Sequence, residues 1–266
     1  MKKQLRLTLS QKGGVGKTAI AVNLASWCLH HKIKFICIDG DPSNSSLGDY
    51  NPGLPVRTIE ILNDSGMEID ISKFDSLVYF WLDQVQDEDI VIFDTGATTF
   101  NPLVAFLKTN QIFSLLQDKY EIHLDIVVAP GEELADTLNS MIYVTELFKD
   151  DYCKINVWVN EWFGEVRDTQ GRVFEDTPEY NQIKSALNSI IYLREPPSSL
   201  HRKAIIKMKQ EKLTYLQIKD REDFMLLDKS RIHSMMVDNI FKMMDQIFDI
   251  PSSSKTKSSK KEEVSA

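Results

Sequence analysis

Leu5, Leu7 and Leu9 alternate with Arg6 and Thr8, and this alternation predicts a first strand. A glycine-rich turn follows, and residues 19–29 then predict a helix. Residues 33–39 (IKFICID) predict a second strand, which ends in two acids around Gly40. Between residues 72 and 86, Phe74, Leu77, Val78, Trp81 and Leu82 recur at helical spacing. The run Ile90-Val91-Ile92-Phe93 is wholly apolar, as expected of a strand covered on both faces, and it too ends in an acid, Asp94. Residues 122–129 predict the next strand. Residues 132–149 predict a helix with Leu134, Leu138, Met141, Ile142 and Phe148 in phase. Strands at 155–159 and 190–193 complete the set, and residues 232–248 read as a Met-rich helix. Strands separated by helices of this length imply parallel βαβ units. The fold class expected is therefore α/β, a doubly wound, mostly parallel sheet with helices on both faces. Ligands of such sheets bind beyond the carboxyl ends of the strands, which is where the pattern gathers Asp39, Asp41, Asp94 and the glycine-rich turn.

Composition narrows the class. The chain has 266 residues, 42% hydrophobic and 26% charged, as in ordinary globular proteins. No apolar run approaches the ~18–20 residues of a membrane span. The basic start, Met1-Lys2-Lys3, breaks into alternation without the apolar core of a signal peptide. Cys28, Cys37 and Cys153 are odd in number and widely spaced, which argues against a disulfide scaffold or a zinc site and for a cytoplasmic protein. Residues 251–266 are Ser/Lys-rich with Val264 as the one large apolar residue, so they are expected to be a disordered tail behind a single domain over 1–250. Formal net charge is −8 for the whole chain. The tail holds four Lys and two Glu, leaving the first 250 residues at −10. A body that acidic is not a general nucleic-acid binder by bulk charge.

The sharpest chemistry lies in Lys12-Gly13-Gly14-Val15-Gly16-Lys17-Thr18, between the first strand and the first helix. In that setting glycines let successive backbone N–H groups turn toward phosphate oxygens, and the helix N-terminus adds its dipole. Backbone and side chains from Gly13 to Ala19 are the expected phosphate cradle, with Lys17 on the β/γ-phosphates and the Thr18 hydroxyl on Mg²⁺. Gln11 stands where the general loop has its first glycine, and Lys12 is an additional lysine.

This K-G-G-x-G-K-T form resembles the deviant Walker A loop of the ParA/MinD superfamily of partition and positioning ATPases. The resemblance implies ATP and Mg²⁺ as cofactors and an ATP-dependent homodimer, in which Lys12 reaches the partner's phosphates. Asp39-Gly40-Asp41-Pro42 is similar to the D-x-D-P motif of that superfamily, which implies that Asp41 positions the attacking water and Asp39 helps hold the metal. A plain polar turn is the alternative. Ile90 to Asp94 with Thr95-Gly96 has the Walker B and switch II pattern, implying that Asp94 holds Mg²⁺ through water and that the Gly96 N–H approaches the γ-phosphate. Many members carry a proline where this chain reads Thr95-Gly96-Ala97-Thr98-Thr99. Asn160 matches an asparagine that hydrogen-bonds adenine, and Pro196-Pro197 a loop packed near base and ribose; a turn asparagine and a plain turn stand beside these readings.

Further stretches, among them Cys37–Pro42, Asp94–Phe100 and Val157–Asn160 with Trp162 and Gly164, look like the TraL/StbB branch, ParA-like ATPases of conjugative and mobilisable plasmids. That branch implies a switch acting in plasmid transfer or in plasmid stability and partition. Its partners would be a plasmid-encoded DNA-binding adaptor or the transfer machinery. Three other functions stand beside it: a nucleotide-binding scaffold with little hydrolysis, an ATP-dependent ligase or kinase of a small molecule, and a metal-cluster or membrane-targeting carrier, for whose cluster form the closely spaced cysteines are lacking.

Four features leave two readings each. Arg202, Lys203, Lys207 and Lys209 either offer weak, non-specific DNA contact or form a solvated helix face. The helix at 232–248 suits core or dimer packing better than membrane binding, because Asp238, Asp245 and Asp249 occupy its polar side. Residues 163–179, with the turn Asp168-Thr169-Gln170-Gly171, read as a hairpin lid or partner surface. Trp158 and Trp162 are core residues by default and base-stacking residues otherwise.

Overall fold

In the computed structural model, which describes residues 2–41 and 46–248, seven strands join one sheet. They are β1 (Lys3–Leu9), β2 (Phe35–Gly40), β3 (Val56–Thr58), β4 (Ile90–Thr95), β5 (Tyr120–Val128), β6 (Cys153–Asn160) and β7 (Ser189–Leu193). Their order is β3-β2-β4-β1-β5-β6-β7 and every pairing is parallel. The chain leaves the central β1 toward β2, returns to β4, and then crosses to β5 on the other side of β1. That reversal opens a crevice at the carboxyl end of β1. Pro42 and the expected tail at 251–266 lie outside the described residues.

Two apolar layers sandwich the sheet. Leu5, Leu7 and Leu9 of β1 face a cluster built with α2 (Lys73–Tyr79), α3 (Ala97–Thr109), α4 (Ile112–Leu116), α5 (Leu134–Phe148) and α6 (Pro178–Ile183). The opposite face packs on α1 (Lys17–His31), α7 (Ser199–Gln210), α8 (Leu226–His233) and α9 (Lys242–Ile247). Fully burying each large apolar side chain in these layers is worth roughly 1.5–3 kcal/mol.

The polar positions that alternate along β1 are as buried as its leucines. Arg6 is 1% exposed and Thr8 is fully buried, so both faces are covered. Arg6 donates to both carboxylate oxygens of Asp125 on β5, at 3.1 and 2.8 Å. Asn156 Nδ2 and Trp158 Nε1 add hydrogen bonds to Asp125 Oδ1. Register explains this polar seam: Thr8, Asp125, Asn156 and Ser189 lie side by side on β1, β5, β6 and β7.

Other elements depart from the sequence reading at their edges. The helix expected over 72–86 is α2 followed by a wider, π-type turn at Phe80–Gln84. α8 likewise runs through a π-type stretch, Ser234–Phe241, into α9. Met235, Met236, Phe241, Met244 and Phe248 are buried there, so this segment is core. Phe248 lies 3.9 Å from the Arg6 guanidinium and closes the polar seam. Residues 163–179 contain a small hairpin, with Arg167 bridging Val173 and Asp168 holding the turn through the Gln170 and Arg172 N–H groups.

Candidate nucleotide site

The loop after β1 holds an open, donor-rich concavity. Gly14 and Gly16 have φ of 75° and 109°, a region closed to most side chains. A Cβ on Gly13 or Gly14 would meet nothing within 4 Å, so free space lies against both. A Cβ on Gly16 would stand 2.6 Å from Asn160 Nδ2, so that glycine is also required by packing. α1 begins at Lys17 directly behind the loop. Gly13, Lys17, Thr18, Asp41, Ser46 and Thr98 line a cavity of ≈ 420 Å³.

Lys17 is 7% exposed, and its ammonium donates to the Lys12 carbonyl at 2.7 Å. Burial lowers its pKa, while the charges of Asp94 and Asp41 act to raise it. The strand register sets Asp39, Asp94 and Thr8 side by side on β2, β4 and β1. Asp94 accepts from the Thr8 hydroxyl at 2.8 Å. Burial pushes its carboxyl up to about 6, against the pull of the Thr18 and Thr8 hydroxyls. Asp39 is 1% exposed and shapes the loop after β2, accepting from Asp41 N at 3.1 Å and Gly48 N at 2.8 Å. Thr18 Oγ1 lies 3.1 Å from Ser46 Oγ. Gly96 is buried and begins the turn into α3, and Thr99 Oγ1 on that helix donates to the Gly40 carbonyl.

Lys12 turns away from the concavity. Its ammonium lies 2.9 Å from Glu133 Oε2 and 3.1 Å from Asp136 Oδ2 at the start of α5, and both partners raise its pKa. Val15 is 2% exposed and anchors the loop in the core; its carbonyl accepts from Asn160 Nδ2 at 2.8 Å. Asn160 Oδ1 accepts from Trp162 N at 3.2 Å, so this side chain straps the loop to the end of β6.

A second cavity of ≈ 210 Å³ continues from the loop. Gly14, Gly16, Ala19, Asn23 and Asn160 form one side; Trp162, Phe163, Leu193, Ile205, Lys209, Met235 and Ile240 contribute to the others. Pro196 is buried and is not among its lining residues, whereas Leu193 and Arg194 from the same β7 end are. Trp158 is fully buried and lies in the core. The basic set of α7 is divided. Arg202 bonds Glu195 and the Trp162 carbonyl, Lys207 pairs with Asp223, Lys203 is exposed, and Lys209 lines the cavity. These four residues therefore do not share one free surface.

The chain that carries this glycine-rich loop, buried lysine and strand-end acids has relatives among known proteins. Residues 7–234 match the model of the CobQ/CobB/MinD/ParA nucleotide binding domain. The chain belongs to this family. Within the ParA/MinD family it is similar to Protein TraL of Escherichia coli, 31% identical over 230 residues, which covers 86% of this chain and 92% of TraL. Its fold is also that of MinD in the Aquifex aeolicus MinC:MinD cell division protein complex, at TM-score 0.53 and 17% identity, covering 93% of this chain and 97% of that one. The septum site-determining protein MinD of Pyrococcus horikoshii OT3, complexed with Mg-ADP, matches at TM-score 0.50 and 15% identity, covering 93% of this chain and all of that one.

Sequence reading missed several residues around this concavity. Ser46, Glu133, Asp136 and Thr8 carry no local motif and become partners only through the sheet order. Lys209 was grouped with its basic neighbours, although its i+4 relation to buried Ile205 already places it on the inner face of α7. Among the described residues, no helix is long and apolar enough to cross a membrane.

Proposed function

We propose that this chain is an ATP-binding and ATP-hydrolysing switch that dimerises on ATP and acts in conjugative plasmid transfer or plasmid maintenance. The observation that carries the proposal is the convergence of the Gly13–Thr18 loop, the buried Lys17 ammonium and Asp41 on one open concavity, with buried Asp94 close enough for its charge to act on Lys17. The plasmid process rests on the similarity to TraL. Residues 1–250 are taken as a single nucleotide-binding domain.

The residues suit ATP with Mg²⁺. Free space beside Gly13 and Gly14 admits phosphate oxygens to backbone N–H groups. Thr18, Asp94, Asp39 and Asp41 offer hard oxygen donors. Among the described residues no cluster of three or more His, Cys, Asp or Glu forms a metal cage. Mg²⁺ would take one or two of the Thr18 and aspartate oxygens, with phosphates and water completing its shell. Bound Mg²⁺ would neutralise charge on the phosphates.

Each residue then has a role. Gly13, Gly14, Val15, Gly16 and Ala19 present backbone to the phosphates. Lys17 offers its ammonium to the β/γ-phosphates and exchanges its present acceptor, the Lys12 carbonyl, for phosphate oxygen. Thr18 and Asp94 hold the metal, with Asp39 behind them. Asp41 orients the attacking water, and the Gly96 N–H faces the γ-phosphate. Lys12 leaves Glu133 and Asp136 to reach the nucleotide of a second subunit, so the dimer forms only when nucleotide fills both sites. Asn160 keeps the loop in register beside the base.

The test measures particle size and phosphate release with no nucleotide, ADP and ATP. Dimer with ATP alone, and turnover that Asp41→Ala abolishes, support the proposal. A monomer under all three conditions removes the switch. Dimerisation without turnover leaves the scaffold reading in its place.

A further inference from the structure

Among the described residues, one cation in the second cavity has no acceptor for its ammonium. Lys209 sits on the inner face of α7, four residues after buried Ile205. Its ammonium lies 4.4 Å from the centroid of the Trp162 ring. Among the described residues it has no hydrogen bond or ion pair, unlike Arg202, Lys207 and Lys212 on the same stretch, which all find carboxylates. Burial brings its pKa down to about 8. A lysine placed this way costs the fold stability, because an ammonium loses water and gains only a ring face.

The lining of the cavity says what would restore that loss. It begins at Gly14 and Gly16 of the phosphate loop, so a nucleotide held there by its phosphates extends its other end into this space. The surrounding side chains are largely apolar and aromatic, as suits a flat ring. Asn160 is tied down by one bond from Nδ2 to the Val15 carbonyl and one from the Trp162 N–H to Oδ1, which fixes its amide against the loop. Lys209 therefore brings an unengaged donor to this wall, and purine bases present ring-nitrogen acceptors along their edges.

We infer that Lys209 is a base-reading residue, whose ammonium donates to an acceptor on the purine edge of the bound nucleotide. The inference rests on the nucleotide site proposed above. It implies that fold stability is given up at this position in exchange for ligand affinity, as at many functional sites.

The test compares the full chain with Lys209→Met, which keeps the length and removes the donor. Binding is measured for ATP, for ribose 5-triphosphate, which lacks the base, and for inorganic tripolyphosphate. Thermal unfolding is followed without ligand. The expected result is an ATP affinity at least about tenfold weaker in Lys209→Met, the effect of losing a charged hydrogen bond. Ribose 5-triphosphate and tripolyphosphate should bind both proteins alike, which also reports that the variant is folded. Its melting temperature without ligand should equal or exceed that of the unaltered chain. Equal ATP affinity in the two proteins overturns the inference and leaves the nucleotide site standing. So does a loss shared by all three ligands, or a lowered melting temperature with the loss of all binding. Failure of the unaltered chain to bind ATP overturns both readings.

Discussion

A Cβ built on Gly96 would lie 2.7 Å from Asp41 Oδ1 and 3.1 Å from Asp41 Cα. The loops after β2 and β4 thus meet with no room for a methyl group. Gly96 has φ of −72°, which any residue adopts, so the requirement is steric and not conformational. Gly96→Ala should displace Asp41 and slow phosphate release by at least about tenfold, the usual cost of misplacing a catalytic group. ATP affinity should change less. Single-turnover kinetics and equilibrium binding separate the two effects; unchanged turnover would take the close approach out of the chemistry.

Lys17→Ala should abolish ATP binding, since the ammonium offered to the phosphates is gone. Lys17 is 7% exposed, so folding must be checked alongside by thermal unfolding. A folded variant that binds ATP normally would end the phosphate-loop assignment.

Glu133 and Asp136 hold Lys12 on its own subunit. The double variant Glu133→Gln, Asp136→Asn releases that lysine without changing its length. We expect the ATP dimer to form at lower protein concentration in this variant, and the gain to vanish when Lys12→Ala is added. Sedimentation with ATP reads both. The Lys12 side chain is 39% exposed and solvent screens its ion pairs, so its loss should leave the melting temperature nearly unchanged.

Arg6 and Asp125 are 1% and 0% exposed. Asp125→Ala leaves the guanidinium buried without its carboxylate and should cost about 3–5 kcal/mol in denaturant unfolding. The double change Arg6→Met, Asp125→Leu removes both charges and should cost clearly less. Equal losses would mean that packing, not charge, governs the seam.

Glu121 accepts from His123 Nε2 at 2.8 Å and lies 3.0 Å from Lys154 Nζ. His123 thus carries its proton on Nε2, which leaves Nδ1 to accept from Asn156 Nδ2 at 3.3 Å. The hydrogen bond from His123 comes first among the causes that hold the Glu121 carboxyl down, to about 2 against an ordinary 4.5. A lowered carboxylate pKa stabilises the fold above the unfolded value, and that stability is lost as pH falls through the folded value. The melting-temperature gap between the unaltered chain and Glu121→Gln should therefore be full at pH 7 and narrow from about pH 4.5 downward. The carboxylate is 37% exposed, so solvent screening keeps the gap small. A gap that widens as pH falls would contradict the assignment.

The sheet and the phosphate loop were legible because each is written in neighbouring residues. Ile90–Phe93 shows its burial in its own run, and Lys12–Thr18 is contiguous. Short elements left less trace: β3 is three residues long, and α3 carries Pro102 inside it. On β1 the sequence shows polar Arg6 and Thr8 but not what they pair with. Their partners Asp125 and Asp94 lie 119 and 86 residues away, and only the strand order brings them close. Lys209 was obscured in another way, since a basic run hides which of its members turns inward.

The second cavity brings together residues that lie far apart in the sequence. Gly14 and Gly16 are made early, while the wall containing Met235, Met236 and Ile240 is made much later. A ribosome therefore releases the glycine-rich loop long before the space beside it has a far side. A chain halted before residue 235 would display the loop with half a pocket.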